Sequence, residues 1–553
     1  MRGRAAPSAR RWGRILLVAT AVLLGLALVM RGPTDARPDQ SLPSGDWDAA
    51  ARGAWQFRNA GFGGLAAGPL ETHAIPWRLS AAALILDAKR GDRRVPLDRA
   101  ALRPILQRYG FLFPSRVGNW PDGMPTQPSG TLPLGMTHGV LSPIRGLPVS
   151  IANLGCAACH AGATYDAKGD ADPDRAWLGM PNSSIDLEGY TRAVFTAMRR
   201  QVRDPDRLLR ATATIFPEMR GRERFALRWL VLPRVKKRLT ELGQAPRPLP
   251  FPNGLPGSTN GVAALKQALG TPLAGGGAGE LGFVSVPDLG QRDWRRSLLT
   301  DGAYAVPGEA AGRAMEDAGR TSAHREALAT ITTFFTVPSM GVHPDRAERS
   351  LGEAREVGAF LATYRAQPFP GRIDARAAAQ GAVIYARACA SCHGSYSGSA
   401  RPKLTRFPNW IGDVGTDPLR ANLFDAALVD AVNTTRYAQR MTMRAGNGYA
   451  APPLAGIWAS APYLHNGSVP TIAALLDPSR RPTAFMVGGH SLDFTALGLR
   501  LAADGRYPAG SRPWAGTAWI DTRKPGLSND GHVFGSDLTE PEKRALIAFL
   551  KLL

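Results

Sequence analysis

Four cysteines constrain this chain more than any other feature of its sequence. They occur as two C-x-x-C-H motifs, Cys156–His160 and Cys389–His393. This spacing is the signature of covalent haem c attachment, in which two thiols bond the haem vinyl groups and the adjacent histidine binds the iron. The sequence therefore predicts two covalently bound haem c groups. The predicted haem-binding residues are Cys156, Cys159, His160, Cys389, Cys392 and His393.

Other uses of paired cysteines explain the motifs less well. Two disulfides would leave both adjacent histidines unexplained. A zinc site would use the two pairs jointly and would not require a histidine directly after each pair. A thioredoxin-like motif would occur once, in a βαβ context that is absent from this sequence.

The composition indicates a globular protein. The chain has 553 residues, of which 44% are hydrophobic, so it is long enough for two or more domains with sizeable cores. The net charge of +22 arises from 67 basic and 45 acidic residues, but only nine of the basic residues are lysine. No nucleic-acid-binding motif accompanies this charge, so no nucleic acid partner is expected. We expect part of the arginine excess to neutralise haem propionates.

The amino terminus has the pattern of an export signal. Residues 2–14 contain five arginines and no acidic residue, and the apolar segment 15–30 follows them. Covalent haem c attachment belongs outside the cytoplasm, which agrees with this pattern. We therefore predict a periplasmic or exported protein, and the pattern leaves open whether the segment is cleaved or anchors the chain in the inner membrane.

Composition and turn signals divide the remaining chain. The predicted organisation is a signal peptide or membrane anchor at 1–31, a linker at 32–56, an N-terminal haem domain with insertions at 57–370, and a C-terminal cytochrome c domain at 371–553.

Local patterns predict the secondary structure of several segments. Residues 75–150 are expected to be irregular, 186–240 helical and 248–282 a long loop. A final helix is expected after Thr539, which is a favourable N-cap with Glu542 three residues later. The basic stretch 220–238 suits a solvated helix face, a membrane surface or an acidic partner.

The second iron ligand at each haem decides its chemistry, because an iron with ligands on both faces transfers electrons and one with an open face binds O2 or peroxide. His532 lies in a glycine-flanked loop that can bring its ring close to a haem. The other candidates for the second haem are His490, Met441 and Met443. Near the first haem, the loop residues Met136, His138 and Met180 form no ligand pattern, so the catalytic residue there is not identified.

The C-terminal third of the sequence resembles a known family. Residues 452–472 (PPLAGIWASAPYLHNGSVPTI), 481–488 (RPTAFMVG) and 526–535 (GLSNDGHVFG) are very similar to the diheme c-type cytochromes of the rubber-oxygenase type. These proteins belong with the bacterial diheme cytochrome c peroxidases and MauG-like enzymes. The similarity is strong over about 372–553 and weaker upstream, where it depends on the first haem motif and on residues 293–302.

The resemblance implies a mainly α fold with two cytochrome c-like haem domains and long irregular insertions. It implies that His393 and His532 bind the C-terminal iron, while the His160 haem keeps an open face. It also suggests that His465 lies beside a haem, where it bonds a propionate or lines the pocket. Thr300 stands where the resemblance leads us to expect an aromatic residue; the candidate substitutes are Trp294, Phe334 and Phe335.

These observations predict a periplasmic diheme c-type cytochrome oxidoreductase. Its expected small-molecule partner is O2 or H2O2 at the N-terminal haem, and its expected electron donor is a redox protein or a quinol-chain component. The C-terminal haem would relay electrons. Two alternatives are a pure electron-transfer protein with both haems six-coordinate and a haem-based sensor or interaction protein.

Overall fold

The structure is a computed structural model. It describes residues 37–38, 40–60, 74–125, 132–273, 282–308, 312–339, 344–446 and 448–553. The predicted signal or anchor segment, 1–31, lies outside these residues. No helix within the described ranges has both the length and the apolar character needed to cross a membrane.

Helices account for 40% of the structure and strands for 15%. The helices are α1 (Ala49–Trp55), α2 (Trp77–Gly91), α3 (Leu102–Gln107), α4 (Cys156–Cys159), α5 (Leu187–Gln201), α6 (Pro205–Ile215), α7 (Gly221–Ala226), α8 (Leu232–Glu241), α9 (Gly261–Leu269), α10 (Ser322–Ser339), α11 (Pro344–Ala347), α12 (Leu351–Thr363), α13 (Ala375–Ala388), α14 (Ala390–His393), α15 (Leu419–Asn422), α16 (Ala426–Asn433), α17 (Ile472–Leu475) and α18 (Glu540–Leu550).

The strands are mostly short. They are β1 (Arg37–Pro38), β2 (Ile75–Pro76), β3 (Arg116–Val117), β4 (Met136–Ile144), β5 (Leu147–Leu154), β6 (Ala161–Tyr165), β7 (Ala171–Leu178), β8 (Ser258–Thr259), β9 (Val284–Ser285), β10 (Ser297–Leu298), β11 (Tyr304–Ala305), β12 (Met315–Glu316), β13 (Ser395–Ser397), β14 (Lys403–Phe407), β15 (Ile411–Gly412), β16 (Thr442–Met443), β17 (Tyr449–Ala450), β18 (Ala484–Val487), β19 (Leu492–Asp493), β20 (Gly498–Leu499) and β21 (Ala518–Asp521). Because these strands pair into many small sheets, the expectation of a mainly α fold is not confirmed.

The first haem motif lies between two sheets. Strands β4 and β5 form an antiparallel hairpin in the sheet β1-β4-β5-β2, and the motif helix α4 begins two residues after β5. Strand β6 starts directly after His160 and belongs to the sheet β3-β7-β6. The prediction that 75–150 is irregular is therefore wrong, because helix α2 and this hairpin bury apolar residues in one core.

The second haem motif follows a pair of packed helices. Asp374 caps α13 by accepting hydrogen bonds from two backbone amides, and Thr539 and Glu542 form a capping box at α18. Helix α18 is confirmed where the sequence predicts it, after Thr539. Along α18, Leu546 and Phe549 are buried against the core that α13 also joins.

Segments on the two sides of residue 370 share sheets and a core. Strand β11 pairs with β16, and β12 pairs with β14. One hydrophobic cluster combines residues from α10 and α12 with Phe424 and Leu428. The chain between about 283 and 316 is therefore packed against the C-terminal part of the protein.

Two other predicted segments differ from the structure. Residues 49–55 of the predicted linker form α1, because Asp48 caps the helix and Trp55 is buried. Within the predicted loop 248–282, residues 261–269 form α9, capped by Asn260, and Leu265 is buried. The helical prediction for 186–240 is confirmed by α5 to α8.

We expect Gly381→Val to lower the free energy of unfolding by about 1–3 kcal/mol. A Cβ at Gly381 would lie 1.9 Å from the carbonyl oxygen of Ala545, so α13 and α18 would have to separate. Val383→Ala on the same helix is the control, because Val383 is 72% exposed. Denaturant unfolding followed by circular dichroism measures both variants. Equal midpoints for Gly381→Val and the native protein would contradict the packing argument.

Candidate haem-binding sites

The second motif is positioned by the end of α13. Cys389 ends this helix and is the N-cap of the short helix α14, which carries Cys392 and His393. The Tyr385 hydroxyl donates to the Gly394 carbonyl at 3.0 Å and closes the turn after the motif. Burial raises the pKa of the Cys389 thiol to about 11.

The ring of His393 is oriented by a backbone carbonyl. Its Nδ1 lies 2.8 Å from the oxygen of Pro452. A carbonyl can only accept, so Nδ1 carries the proton and Nε2 keeps a lone pair for a metal. Burial lowers the pKa of His393, so the imidazole is neutral at pH 7 and can act as a ligand.

A cavity of about 300 Å³ adjoins this motif. Cys389, Cys392 and His393 line it, and His532 contributes to the same lining. Much of the remaining wall is apolar, which suits the faces of a porphyrin. Its apolar lining includes Leu454, Ile457, Ile472, Leu475, Leu476, Leu546 and Leu550.

His532 is held by a constrained loop. Its φ of +45° lies in the left-handed region that non-glycine residues rarely adopt. The His532 amide donates to the Val414 carbonyl at 2.8 Å. The Arg481 guanidinium donates to the carbonyls of Gly531 at 2.8 Å and His532 at 3.2 Å. These contacts hold the strained residue in one conformation.

The ring centroids of His393 and His532 are 6.2 Å apart, and the ring planes are tilted by 52° to each other. Imidazole nitrogens bind metal ions at about 2.0 Å, and two rings bound on opposite faces of one ion have centroids separated by roughly 6 Å. Burial and the proximity of His393 lower the pKa of His532 to about 4, so both rings are neutral at pH 7. This donor pair fits a haem iron.

The other ligand candidates lie elsewhere. His490 is buried, with its Nε2 3.3 Å from the Tyr165 hydroxyl. Met441 and Met443 are buried in the core shared by both parts of the chain. The cavity lining contains none of these three side chains.

The first motif packs against the β4–β5 hairpin. A Cβ at Gly135 would lie 1.9 Å from the Ala158 nitrogen, so only glycine allows this close approach. Asn182 secures the other side, because its side chain donates to the Ala158 carbonyl at 3.2 Å. Burial raises the pKa of the Cys156 and Cys159 thiols to about 12.

His160 is oriented in the same way as His393. Its Nδ1 donates to the Pro287 carbonyl at 3.2 Å, which leaves Nε2 available for a metal. Burial and the charge of Arg292 lower the pKa of His160 to about 4. Residues 285–295, called the inter-site segment below, hold His160 and also contribute to the wall of the cavity beside His393.

Two buried arginines of the inter-site segment line this cavity. Arg292 donates to the Asp288 carbonyl at 2.8 Å, and its Nε has no hydrogen-bond partner. Arg295 is 2% exposed and donates to the Leu299 carbonyl. Within the described residues neither forms an ion pair. Buried cations require an anionic partner, and the propionates of a haem would supply one.

His465 also lines the cavity. Its ring stacks on Tyr449 with centroids 3.9 Å apart, and its carbonyl accepts from the Ser285 amide of the inter-site segment. Burial and the charge of Arg420 lower the pKa of His465 to about 3, so its ring stays neutral. Thr300 lies in the same wall.

Two of the three predicted aromatic substitutes, Trp294 and Phe334, lie apart from this wall. Trp294 is buried with Met315 and Phe407, and Arg320 stacks over its ring. Phe334 is buried between Tyr304 and Tyr437. The side chain of Phe335 lies outside the described residues.

None of the four cysteines pairs with another in a disulfide. The described residues also contain no group of three or more His, Cys, Asp or Glu side chains arranged for a metal ion. Both haem motifs lie within the described part of the chain, so the joint zinc site is not formed.

Sequence reasoning missed most of the inter-site segment, because only residues 293–295 lie in the stretch 293–302 on which the upstream resemblance depends. Pro287 acts through its backbone carbonyl, which no residue pattern reveals. Arg292 lies outside that stretch, although a pair of arginines three residues apart beside an aspartate was a weak signal for a buried charge cluster.

We expect Asp288→Asn to flatten the pH dependence of stability. Burial raises the pKa of Asp288 to about 7, so between pH 4 and 7 the folded state holds a proton that the unfolded chain releases. The free energy of unfolding of the native protein therefore falls as pH rises through this window, by on the order of 3 kcal/mol, and the variant lacks this loss. Thermal unfolding from pH 5 to 8 measures it. The exposed Asp504→Asn is the control, and parallel pH profiles for Asp288→Asn and the native protein would refute the assignment.

Two family models match the region of the second site. A family model described as "RoxA-like, cytochrome c-like" matches residues 448–486, and one for "Cytochrome C oxidase, cbb3-type, subunit III" matches residues 376–456. These ranges contain the second motif, Pro452 and His465.

Two curated proteins of Sinorhizobium fredii (strain NBRC 101917 / NGR234) are also similar. The uncharacterized protein y4iJ is 33% identical over 246 residues, covering 33% of this chain and 40% of that protein. The uncharacterized protein y4iM is 29% identical over 208 residues, covering 32% of this chain and 45% of that protein. The chain thus spans less than half the length of these relatives. The family models support a c-type cytochrome with covalently bound haem c, and their matches lie within residues 376–486.

Proposed function

We propose that this protein is a periplasmic diheme c-type cytochrome oxidoreductase, with O2 or peroxide used at the N-terminal haem and electron relay at the C-terminal haem. One observation carries the proposal: the two motifs have different surroundings. The ring centroids of His532 and His393 are 6.2 Å apart. The candidate ligands nearest the first motif in sequence are instead hydrogen-bonded to another side chain or buried in hydrophobic cores.

Haem c, when bound, supplies a redox-active iron whose free coordination position decides between electron transfer and binding of O2 or peroxide. At the C-terminal site Cys389 and Cys392 would hold the group, and His393 and His532 would bind its iron on both faces. The neutral state of the two imidazoles keeps a lone pair on each ring for this role.

At the N-terminal site Cys156, Cys159 and His160 would hold the second group. His138 bonds the Ser150 hydroxyl at 2.8 Å. Met136 is buried in the core of α2 and the β4–β5 hairpin. Met180 is buried in another core. These contacts support an open face opposite His160.

The inter-site segment supports a functional connection between the sites. Pro287 fixes His160, while Arg292 and Arg295 would neutralise propionates at the adjoining cavity. His465 would donate one hydrogen bond there, because its ring is neutral and carries a single proton. We propose a redox protein or a quinol-chain component as electron donor.

We expect the oxidised protein to contain two covalent haems, one low-spin and one high-spin. The pyridine haemochrome absorbance gives the number of haems per chain, and electron paramagnetic resonance separates the spin states. Addition of H2O2, or of O2 to the reduced protein, should change the high-spin signal. Two low-spin haems whose spectra change with neither reagent would overturn the oxidoreductase proposal in favour of pure electron transfer.

We expect His532→Ala to convert one haem from low to high spin and to leave the other unchanged, because the variant removes one iron ligand. His465→Ala is the matched control, since His465 lines the same cavity but stacks on Tyr449. Visible spectra of the oxidised variants measure the change. A spin change in His465→Ala but not in His532→Ala would identify His465, and not His532, as the second iron ligand.

A further inference from the structure

Residues 221–241 form one continuous helix far from both haem motifs in sequence. Helices α7 and α8 are joined by a π-helical turn, Leu227–Val231. The inner side of this helix is fixed to the protein. Glu223 is buried, forms an ion pair with Arg78 and accepts a hydrogen bond from the Ser150 amide of β5 at 3.1 Å.

The outer side carries two exposed aromatic rings. Phe225 is 51% exposed and Trp229 is 59% exposed. They are four residues apart, which places them on neighbouring turns of the same side. Large apolar side chains exposed in this way mark an interaction surface more often than scattered single residues do. The Arg228 guanidinium lies over the Trp229 ring at 5.4 Å.

Exposed basic side chains lie along the same helix as these rings. Glu223 points inward, the carboxylate of Glu241 is paired with Arg238, and Arg228 is paired with Asp206. The exposed side of the helix still carries more basic than acidic side chains, so the face is positive. We call the two rings and their exposed basic neighbours the aromatic–basic face. The exposed basic residues are Arg222, Arg224, Arg234, Lys236, Lys237 and Arg238.

We propose that the aromatic–basic face docks this protein on a membrane surface that contains anionic phospholipid. Tryptophan and phenylalanine are favourable at the boundary between headgroups and acyl chains, and lysine and arginine attract anionic headgroups. Charge complementarity thus supplies long-range attraction, and the two rings supply apolar area to bury. An acidic protein would use the charges but would not require both rings to be presented together. The inference is independent of the chemistry at the haems.

Flotation with vesicles tests this docking. The full haem-loaded chain is mixed with vesicles of phosphatidylglycerol and phosphatidylethanolamine, or of phosphatidylcholine alone, and haem absorbance measures the bound fraction. The phosphatidylcholine vesicles give the contribution of the apolar segment 15–30. We expect tighter binding to the anionic vesicles and loss of this excess in about 0.5 M salt.

Two double variants test the aromatic and the basic side chains of the aromatic–basic face separately. Phe225→Ser/Trp229→Ser and Lys236→Glu/Lys237→Glu should each lower the partition onto anionic vesicles about tenfold or more. All four positions are exposed, so unfolding midpoints and haem spectra should match those of the native protein.

Matched controls lie elsewhere on the surface. Trp519 is 41% exposed beneath the Arg506 guanidinium, as Trp229 is beneath Arg228, so Trp519→Ser should leave binding unchanged. Arg512→Glu/Lys524→Glu controls for net charge. Three results would overturn the proposal: equal binding to both vesicle types, an equal effect of the controls, or an effect of the charge variant without an effect of the aromatic variant. The last result would identify an electrostatic site for an acidic partner.

Discussion

A histidine serves as an iron ligand only when one ring nitrogen keeps its lone pair, and this protein secures that condition at both motifs with the same contact. The Nδ1 of His160 donates to the Pro287 carbonyl, and that of His393 donates to the Pro452 carbonyl. Each contact fixes the tautomer and the direction of the ring. Burial then keeps both rings neutral at pH 7, because the charged form would lose its hydration.

The contact at His160 links the two sites. Pro287 belongs to the inter-site segment, whose neighbouring residues contribute to the wall of the cavity beside His393. The chain that follows this segment pairs as β11 with β16 and as β12 with β14. A shift of this segment would therefore move the carbonyl that orients the His160 ring and the buried arginines at the same time.

Sequence reasoning succeeded where short-range chemistry dominates. Thr539 and Glu542 form a capping box within their own helix, so α18 was predictable from nearby residues alone. It failed where distant segments supply the partners. The turn-rich sequences of hairpin β4–β5 and helix α2 predict irregular structure. The core that stabilises both elements forms only in the folded chain.

The sequence by itself determined the cofactor chemistry, because two thiols and an adjacent histidine at fixed spacing are a local covalent requirement. It also limited the second-ligand candidates to a few histidines and methionines. Tertiary structure decided which candidate lies near His393. The ring centroids of His532 and His393 are 6.2 Å apart, whereas His490, Met441 and Met443 pack elsewhere. The position of His532 depends on a left-handed loop held by Arg481 and Val414, and these contacts join residues separated by 51 positions or more, so only the folded chain could supply it.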